Sequence, residues 1–319
     1  MPLKVAAVVP CHNRKEKTLQ FLDMFSRQMS DQADLRCDVV LVDAQSTDGT
    51  PEVVRTRFPD ICLLHTHADS YWTASTNRGI EYALEQGYDY ILTINDDALV
   101  EPGYVQALVQ TAQHYRVPVL ASRIDYQGKP GLVWALGTEF SWGIRLLHLQ
   151  YHNVPARELP PQVRSQAVVD VEAAPGNGVL IHRSVFERIG LYAEHWVPHY
   201  HADSEFVIRA HRAGVRTCVA PQIVVYDDSP LPNQQHRAVP SQPFWSEFQF
   251  CFFKKKSSWF LPARIYLVLR YCPWYLKPIV LLQTTVVAML GWIAKRQIQE
   301  FSRSFRLMRG KMRALANLE

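Results

Sequence analysis

The chain reads as an α/β protein: a parallel sheet covered by helices on both faces, followed by an amphipathic helical tail of different character. Three observations carry that reading. Apolar, β-rich runs alternate with helical patterns through the first hundred residues. Each run is apolar throughout rather than at every second position, as strands buried on both faces are. After Pro243 the composition turns basic and aromatic.

Element by element, VAAVVP predicts the first strand and KTLQFLDMFSRQM the first helix. DVVLVD is the second strand, and a helix runs from about Thr50 to Phe58. ICLLHT, a helix through STNRGIEYALEQ, and YILTIND complete a β-α-β-α-β-α-β order. Such sheets bind ligands at the carboxyl ends of their strands, where Pro10, Asp43 and Asp96 fall. From about 120 to 200 the pattern is less regular, and QGKPGLVWALGTEFSWG and NVPARELPPQV predict short strands and long loops. VDVEAAPGNGVLIHRSVFERIG reads as strand, Gly-rich turn, strand and short helix. A helix through DSEFVIRAHRAG stops at Gly214, and TCVAPQIVVY is a last strand leading to Asp227 and Asp228.

Composition bounds the function. With 319 residues, 48% hydrophobic and 20% charged, the chain is neither disordered nor collagen-like. We expect a body over 1–243 and a tail over 244–319. The net charge of +4 hides a split: residues 1–253 hold 21 Lys+Arg against 28 Asp+Glu, and residues 254–319 hold 13 against 2. An acidic body argues against nucleic acid as a partner. The basic, aromatic tail, with its closing FSRSFRLMRGKMRAL, suits a segment lying on an anionic membrane surface. Only 17 residues separate Lys277 from Lys295, Gln283, Thr284 and Thr285 among them. A crossing usually needs ~20 apolar residues, so a lone span and a solvated helix packed on the body stay as alternatives. Six scattered cysteines without a C-x-x-C pair suggest neither a zinc ribbon nor a disulfide framework. The apolar run before Pro10 is too short for a signal peptide. The expectation is a cytoplasmic protein, peripherally held at the inner face of the membrane.

The chemistry starts at INDDALVEPGY, where a strand runs into Asn95, Asp96 and Asp97. Adjacent carboxylates repel, and a divalent cation relieves that repulsion. Oxygen ligands with room for water and phosphates favour Mg²⁺ or Mn²⁺ over zinc. The structural alternative is that one Asp caps the helix near Pro102 and the other is solvated. Asp43 ends VVLVD before a turn holding Asp48 and Gly49. A carboxylate there can accept hydrogen bonds from a base or a ribose, while STDGT is equally an ordinary turn. Neither G-x-G-x-x-G nor G-x-x-x-x-G-K-[ST] occurs, which disfavours a dinucleotide dehydrogenase and a P-loop enzyme. His199, His201 and Asp203 alternate like ligands on one strand face, but a helix start there breaks the alternation.

Taken in order, VVPCHNR, VVLVDAQSTDGT, STNRGIEYAL, INDDALVEPGY, APGNGVLIHRSVFERIGLYAE and HYHADSEFVIRAHRAG resemble the inverting family-2 glycosyltransferases. The resemblance covers roughly residues 3 to 228 and is closest to the rhamnosyltransferase-like branch. It implies the GT-A fold, a mixed and mostly parallel sheet flanked by helices. It also implies metal-dependent transfer, with Mg²⁺ or Mn²⁺, of a hexosyl or rhamnosyl group from a UDP-, dTDP- or GDP-linked sugar. The acceptor it implies is a glycan or lipid-linked glycan, in cell-surface polysaccharide synthesis.

Carried onto this chain, the resemblance places Pro10, His12 and Asn13 at the nucleotide pocket with Asp43 on the base. Asn77 and Arg78 become donor contacts, Asn95 and Asp96 lie by the ribose or donor, and Asp97 is a metal ligand. HYHADSEF departs from the family's acidic motif, because Ala202 replaces the first acid. Asp203 then aligns with the general base, Glu205 is a second candidate, and a helix N-cap is the structural reading of Asp203. Where many relatives carry a histidine after the last strand, VVYDDSP offers Tyr226 or Asp227, and Asp227 is taken as the second metal ligand. Gly176, Asn177 and Gly178 would let backbone pass close to sugar or acceptor, and Trp72 would stack on a sugar face. Two rivals remain: a nucleotidyltransferase, disfavoured for want of an N-terminal Gly-rich phosphate loop, and a non-catalytic sugar-nucleotide-binding or scaffold protein, favoured by Ala202.

Overall fold

In the computed structural model, residues 2–28, 34–231 and 243–300 are described. The chain divides into two units, Met1–Phe140 with Leu147–Pro232, and Ser141–Leu146 with Asn233–Glu319.

The first unit opens β1 (Leu3–Cys11), α1 (Lys15–Phe25), β2 (Leu35–Asp43), α2 (Thr50–Arg57), β3 (Cys62–His65), α3 (Tyr71–Glu85) and β4 (Tyr90–Thr93). It continues through β5 (Leu99–Val100), α4 (Tyr104–His114), β6 (Val119–Tyr126), β7 (Lys129–Ala135), β8 (Thr138–Phe140) and β9 (Leu147–Leu149). Then come α5 (Pro161–Arg164), β10 (Val169–Asp170), β11 (Val179–His182), α6 (Arg183–Ile189), α7 (Ala202–Arg212) and β12 (Thr217–Asp227). The main sheet runs β10-β12-β6-β11-β4-β1-β2-β3, and β8 pairs with β9 in a small hairpin.

The four strands expected from the first half form one parallel array, β4-β1-β2-β3. Side chains alternate across β1, so both of its faces must be covered. Val5, Ala7 and Val9 join Phe21 and Phe25 of α1, Val54 of α2 and Leu108 of α4 in one core. On the other face α3 lies so close that a Cβ on Gly79 would come within 2.5 Å of Val8 and 3.0 Å of Val42. The mixed character comes from β11, which enters antiparallel between β4 and β6, while β12 lies parallel to β6. The carboxyl ends of β1, β2, β4, β6 and β12 and the amino end of β11 therefore share one edge.

The second unit holds α8 (Phe244–Phe253), α9 (Leu261–Tyr271) and a helix over Lys277–Glu300. That helix contains one π-helical turn, Gln283–Val287. It is long and apolar enough to cross a membrane, with a mean hydropathy of 1.5 over an 18-residue stretch. The Arg-rich FSRSFRLMRGKMRAL lies outside the described residues.

Candidate functional site

Just past β4 the chain carries its two adjacent acids to the shared edge. Asp96 is 2% exposed, accepts from Thr18 Oγ1 at 2.9 Å, and pairs with Arg14 Nη1 at 3.0 Å. The other nitrogen of that guanidinium, Nη2, binds Asp97 Oδ2, so one arginine spans both carboxylates. Burial pushes the Asp96 carboxyl up to about 6, against the pull of Arg14. Oδ1 of Asp97 is buried without a hydrogen-bond partner, a state that costs a charged group more than the ~1–3 kcal/mol of a neutral one. Asp227, at the end of β12, is near enough that Asp97 adds to burial in raising its proton affinity. Its Oδ2 accepts from Asn177 Nδ2 at 2.9 Å, and Oδ1 from the Ser229 N–H at 2.9 Å.

These carboxylates bear on the implied divalent cation. Among the described residues no group of three or more His, Cys, Asp or Glu side chains is placed to hold a metal ion. Mg²⁺-like sites of one or two carboxylates, completed by phosphate oxygens and water, need no such group. Asp97, with one unpartnered buried oxygen, and Asp227, which feels its charge, are chemically suited to that smaller requirement.

A second acid joins from α7. His201, at φ 72°, is the N-cap, which breaks the alternation of His199, His201 and Asp203 and makes Asp203 the second residue of the helix. Its Oδ2 accepts the Gly176 N–H at 2.7 Å. A Cβ on Gly176 would lie 2.7 Å from that of Asp203 and 3.1 Å from the Trp72 ring, so glycine is what lets this loop reach the carboxylate. Trp72 donates from Nε1 to Asn95 Oδ1 at 3.1 Å and stands edge-on to Tyr192 at 5.6 Å. Asn177 closes the network by accepting the Asn95 N–H at 3.1 Å while holding Asp227. Gly178 carries φ +81° with Tyr104 Oη 2.5 Å from where a Cβ would be. Trp72, Asn95, Asp97, Gly176, Asn177, Asp203 and Asp227 are thus drawn together from α3, the end of β4, the turn before β11, α7 and β12.

Glu205 is placed differently. It is fully buried and held by Arg209 at 3.1 and 3.2 Å, and Arg209 also donates to the carbonyls of Ile189 and Leu191. This ion pair anchors α7 and leaves the Glu205 carboxylate closed to solvent.

The loops after β1 and β2 form a second cluster. Asn13, at φ 50°, donates its N–H to Ser46 Oγ at 2.9 Å and accepts the Thr47 N–H at 2.7 Å. His12 Nδ1 lies 2.7 Å from the Ala44 carbonyl, and Pro10 beside it is half-buried. Asp43 is buried, accepts the Ser46 N–H at 3.1 Å and has His65 at 3.5 Å. Asp48 accepts the N–H groups of Lys15 and Thr50 at 2.9 and 3.1 Å, so one carboxylate caps both α1 and α2. Asn77 stands apart, its amide spent on Tyr192 at 3.0 Å in each direction and on Glu194 at 2.8 Å. Arg78, next on α3, is exposed.

Two participants escaped the sequence reading. Arg14 sits in the quoted VVPCHNR, but its partners lie 83 residues away at Asp97 and its neighbour. Lys17, ion-paired with Asp228, lines with Asp97 and Gln127 a cavity of about 110 Å³. Only the lysine's position on the first helix, one turn from the motif, hinted at it.

Residues 6–174 match the family model described as Glycosyl transferase family 2. The N-acetylglucosaminyl-diphospho-decaprenol L-rhamnosyltransferases of two Mycobacterium tuberculosis strains are each 31% identical over 102 residues, 30% of this chain and 33% of theirs. The match thus spans about a third of the length of these relatives. Among solved structures, the mannosyltransferase PcManGT from Pyrobaculum calidifontis, in complex with GDP-Man and Mn²⁺, is 17% identical, with a TM-score of 0.52 over 96% of this chain and 81% of that one. GalNAc-T7 with UDP, GalNAc and Mn²⁺ is 15% identical, with a TM-score of 0.58 over 84% and 50%. At these identities the likeness is one of fold, a GT-A-like α/β fold.

Proposed function

The chain belongs to glycosyl transferase family 2, and on that premise we propose that it transfers a sugar from a nucleotide diphosphate to an acceptor hydroxyl, with inversion at the anomeric carbon. One observation carries the reading. Asp203 stands beside the Gly176–Gly178 turn, and the same turn, through Asn177, holds Asp227 of the acid group. On this reading the base and the acid group that would face the diphosphate are held relative to each other by a few hydrogen bonds.

In the reaction, Asp203 accepts the acceptor's hydroxyl proton as that oxygen attacks the anomeric carbon. The new glycosidic C–O bond forms while the bond to the diphosphate breaks, and the electron pair leaves with the diphosphate. A single displacement inverts the centre. Asp97 and Asp227 would hold Mg²⁺ or Mn²⁺, which when bound offsets the charge of the departing diphosphate. Arg14, bound to both Asp96 and Asp97, offsets the mutual repulsion of two neighbouring carboxylates. Pro10, His12, Asn13 and Asp43 border the nucleotide, Asn95 and Asp96 its ribose, and exposed Arg78 the diphosphate. Trp72 and the Gly176–Gly178 turn border the sugar and acceptor. Glu205 and Asn77 serve these groups by anchoring α7 and α3.

The donor is UDP-, dTDP- or GDP-linked. The rhamnosyltransferases matched above are named for a diphospho-decaprenol acceptor, and we take a lipid-linked glycan as the acceptor class here. The basic, aromatic tail supports a peripheral position on the cytoplasmic face of an anionic membrane. The deciding experiment is calorimetric binding of UDP, dTDP and GDP with and without Mn²⁺. Metal-dependent binding of one of them, lost in Asp97→Asn, is expected. Binding of none removes the reading, and binding without turnover on any acceptor leaves a non-catalytic sugar-nucleotide binder.

A further inference from the structure

The helix Lys277–Glu300 is turned inside out for a protein in water. Its buried residues fall four apart, Val280, Thr284, Ala288 and Arg296, with Trp292 half-buried between the last two. The second unit's interior thus receives a valine, a threonine, an alanine, an arginine and part of one tryptophan ring from this helix. The large apolar groups face outward: Ile279, Leu282, Val286, Val287 and Leu290 are all exposed, and only 17% of the apolar stretch is buried. The hydroxyls in the middle need no water. Thr284 Oγ1 donates to the Val280 carbonyl at 2.8 Å and Thr285 Oγ1 to that of Leu281 at 2.6 Å. Just before the helix, Trp274 is 81% exposed beside Tyr275, the residue types that collect at a membrane–water boundary.

What surrounds the helix limits how deep it can go. At 24 residues it is about 36 Å long and would span a hydrocarbon core of ~30 Å. It does not stand alone, however. The α8 rings of Phe244 and Phe248 each lie 5.6 Å from Trp292, Glu247 pairs with buried Arg296, and α9 packs on the same helix. With 10 and 11 residues, α8 and α9 reach only about 15 to 17 Å. They end at exposed Lys254, Lys255 and Lys256 and at exposed Arg270. Carrying the unit across a bilayer would strand those charges and helix ends in hydrocarbon.

We propose that this outward face is a monotopic docking surface that enters one leaflet of an anionic bilayer, with the helix lying in the boundary rather than crossing it. The apolar side chains enter the acyl region, and the lysines after α8 meet acidic headgroups. The inference deepens the membrane partner proposed above but stands on the second unit alone.

The test uses the full chain and sealed phosphatidylcholine vesicles with and without phosphatidylglycerol. Flotation is expected with the anionic vesicles, and Val286→Asp and Leu290→Asp should each weaken it by roughly tenfold or more. Because both positions are exposed, the thermal midpoints of these variants should stay near that of the parent chain. For orientation, Tyr275→Cys and Ile298→Cys are treated with a membrane-impermeant maleimide polymer added outside the vesicles, and each gel shift is read against the parent. Both added thiols should react. Protection of one of them overturns the single-leaflet arrangement in favour of a crossing. No flotation, unchanged flotation of the Asp variants, or self-association through this face without lipid binding overturns the docking surface. All of this is measured without nucleotide, so a chain that floats but binds no nucleotide separates failure of the catalytic reading from failure of this one.

Discussion

The two units put charge and apolar surface in opposite places. In the first, β1 is apolar and buried from Val5 to Val9, and Asp96, Asp203 and Asp227 at the sheet edge are each held by named donors. In the second, tryptophans and aliphatic residues face outward while two arginines are buried, Arg264 under Trp259 at 4.6 Å and Arg296 between Glu247 and Glu300. Burial lowers the Arg264 guanidinium to about 10. The first arrangement is stable against water and reserves its polar groups for a ligand. The second exposes a contiguous run of apolar side chains, the kind of surface that marks an interaction site, and the proposed lipid docking rests on it. On the readings proposed above, the same chain carries a reaction edge in one unit and a lipid-docking surface in the other, and perturbing each should leave different traces.

The largest effect belongs to the reaction edge. Asp203→Asn keeps the shape and the Gly176 contact but removes the proposed base, so turnover should fall by roughly 10²–10⁴-fold. Nucleotide binding, measured by calorimetry, should change little. Equal loss of both would mean that Asp203 holds the loop rather than the proton.

Next is the buried charge of the second unit. Arg296→Met leaves Glu247 without its partner and should cost about 3 kcal/mol, toward the lower end for a buried pair because Glu247 is partly exposed. The double variant Arg296→Met with Glu247→Gln should recover much of that in chemical denaturation. No recovery would show that the rings of Phe244 and Trp292 against the guanidinium, at 5.5 and 5.7 Å, matter more than the charge pair.

A smaller effect tests the edge's backbone. Gly178→Ala must place a Cβ 2.5 Å from Tyr104 Oη at φ +81°, and a loss of about 2 kcal/mol is expected. Gly131→Ala, with φ +82° and open space around it, isolates the backbone part. Equal losses at the two positions would mean that the Tyr104 contact relaxes freely.

Much of this was legible beforehand, for reasons that also explain the rest. Strands buried on both faces announce themselves as VAAVVP and DVVLVD, so the parallel half of the sheet could be read directly. The entry of β11 could not, because a strand of three apolar residues and a histidine, VLIH, looks alike in either direction. At the site, the acids after β4 and on α7 were visible by type and order. Separating Asp203 from Glu205 required the position of the helix start, which the left-handed His201 sets. Arg14 was invisible because its role depends on a contact across the fold. Asp48 was visible only as a turn, since capping a second helix is not a local property.

The smallest prediction, read per pH unit, concerns pH and sharpens the same contrast, because it asks whether Asp96 is held ionised at a cost. With its carboxyl raised from 3.8 to about 6 by burial, the folded chain binds that proton more tightly than the unfolded one. Below about pH 4 both states carry it and the contribution is at its most favourable. As pH rises toward 6 the unfolded state releases the proton first, so stability from this group falls, by at most about 1.4 kcal/mol per pH unit, and then levels off. Asp48, lowered because its hydrogen bonds outweigh burial, and Asp170, lowered by its bonds to Cys218 and Arg216, work the other way and lose stability as pH falls, while Asp227 is raised like Asp96, so the raw curve mixes opposing terms. The difference between the parent chain and Asp96→Asn, measured by denaturant titration with chelator present, isolates the term. It should shift in favour of the Asn variant as pH rises from 4 to 6 and stay flat above. A flat difference throughout would mean that Arg14 offsets the burial of Asp96 completely, and that the acid centre is balanced before any ligand arrives.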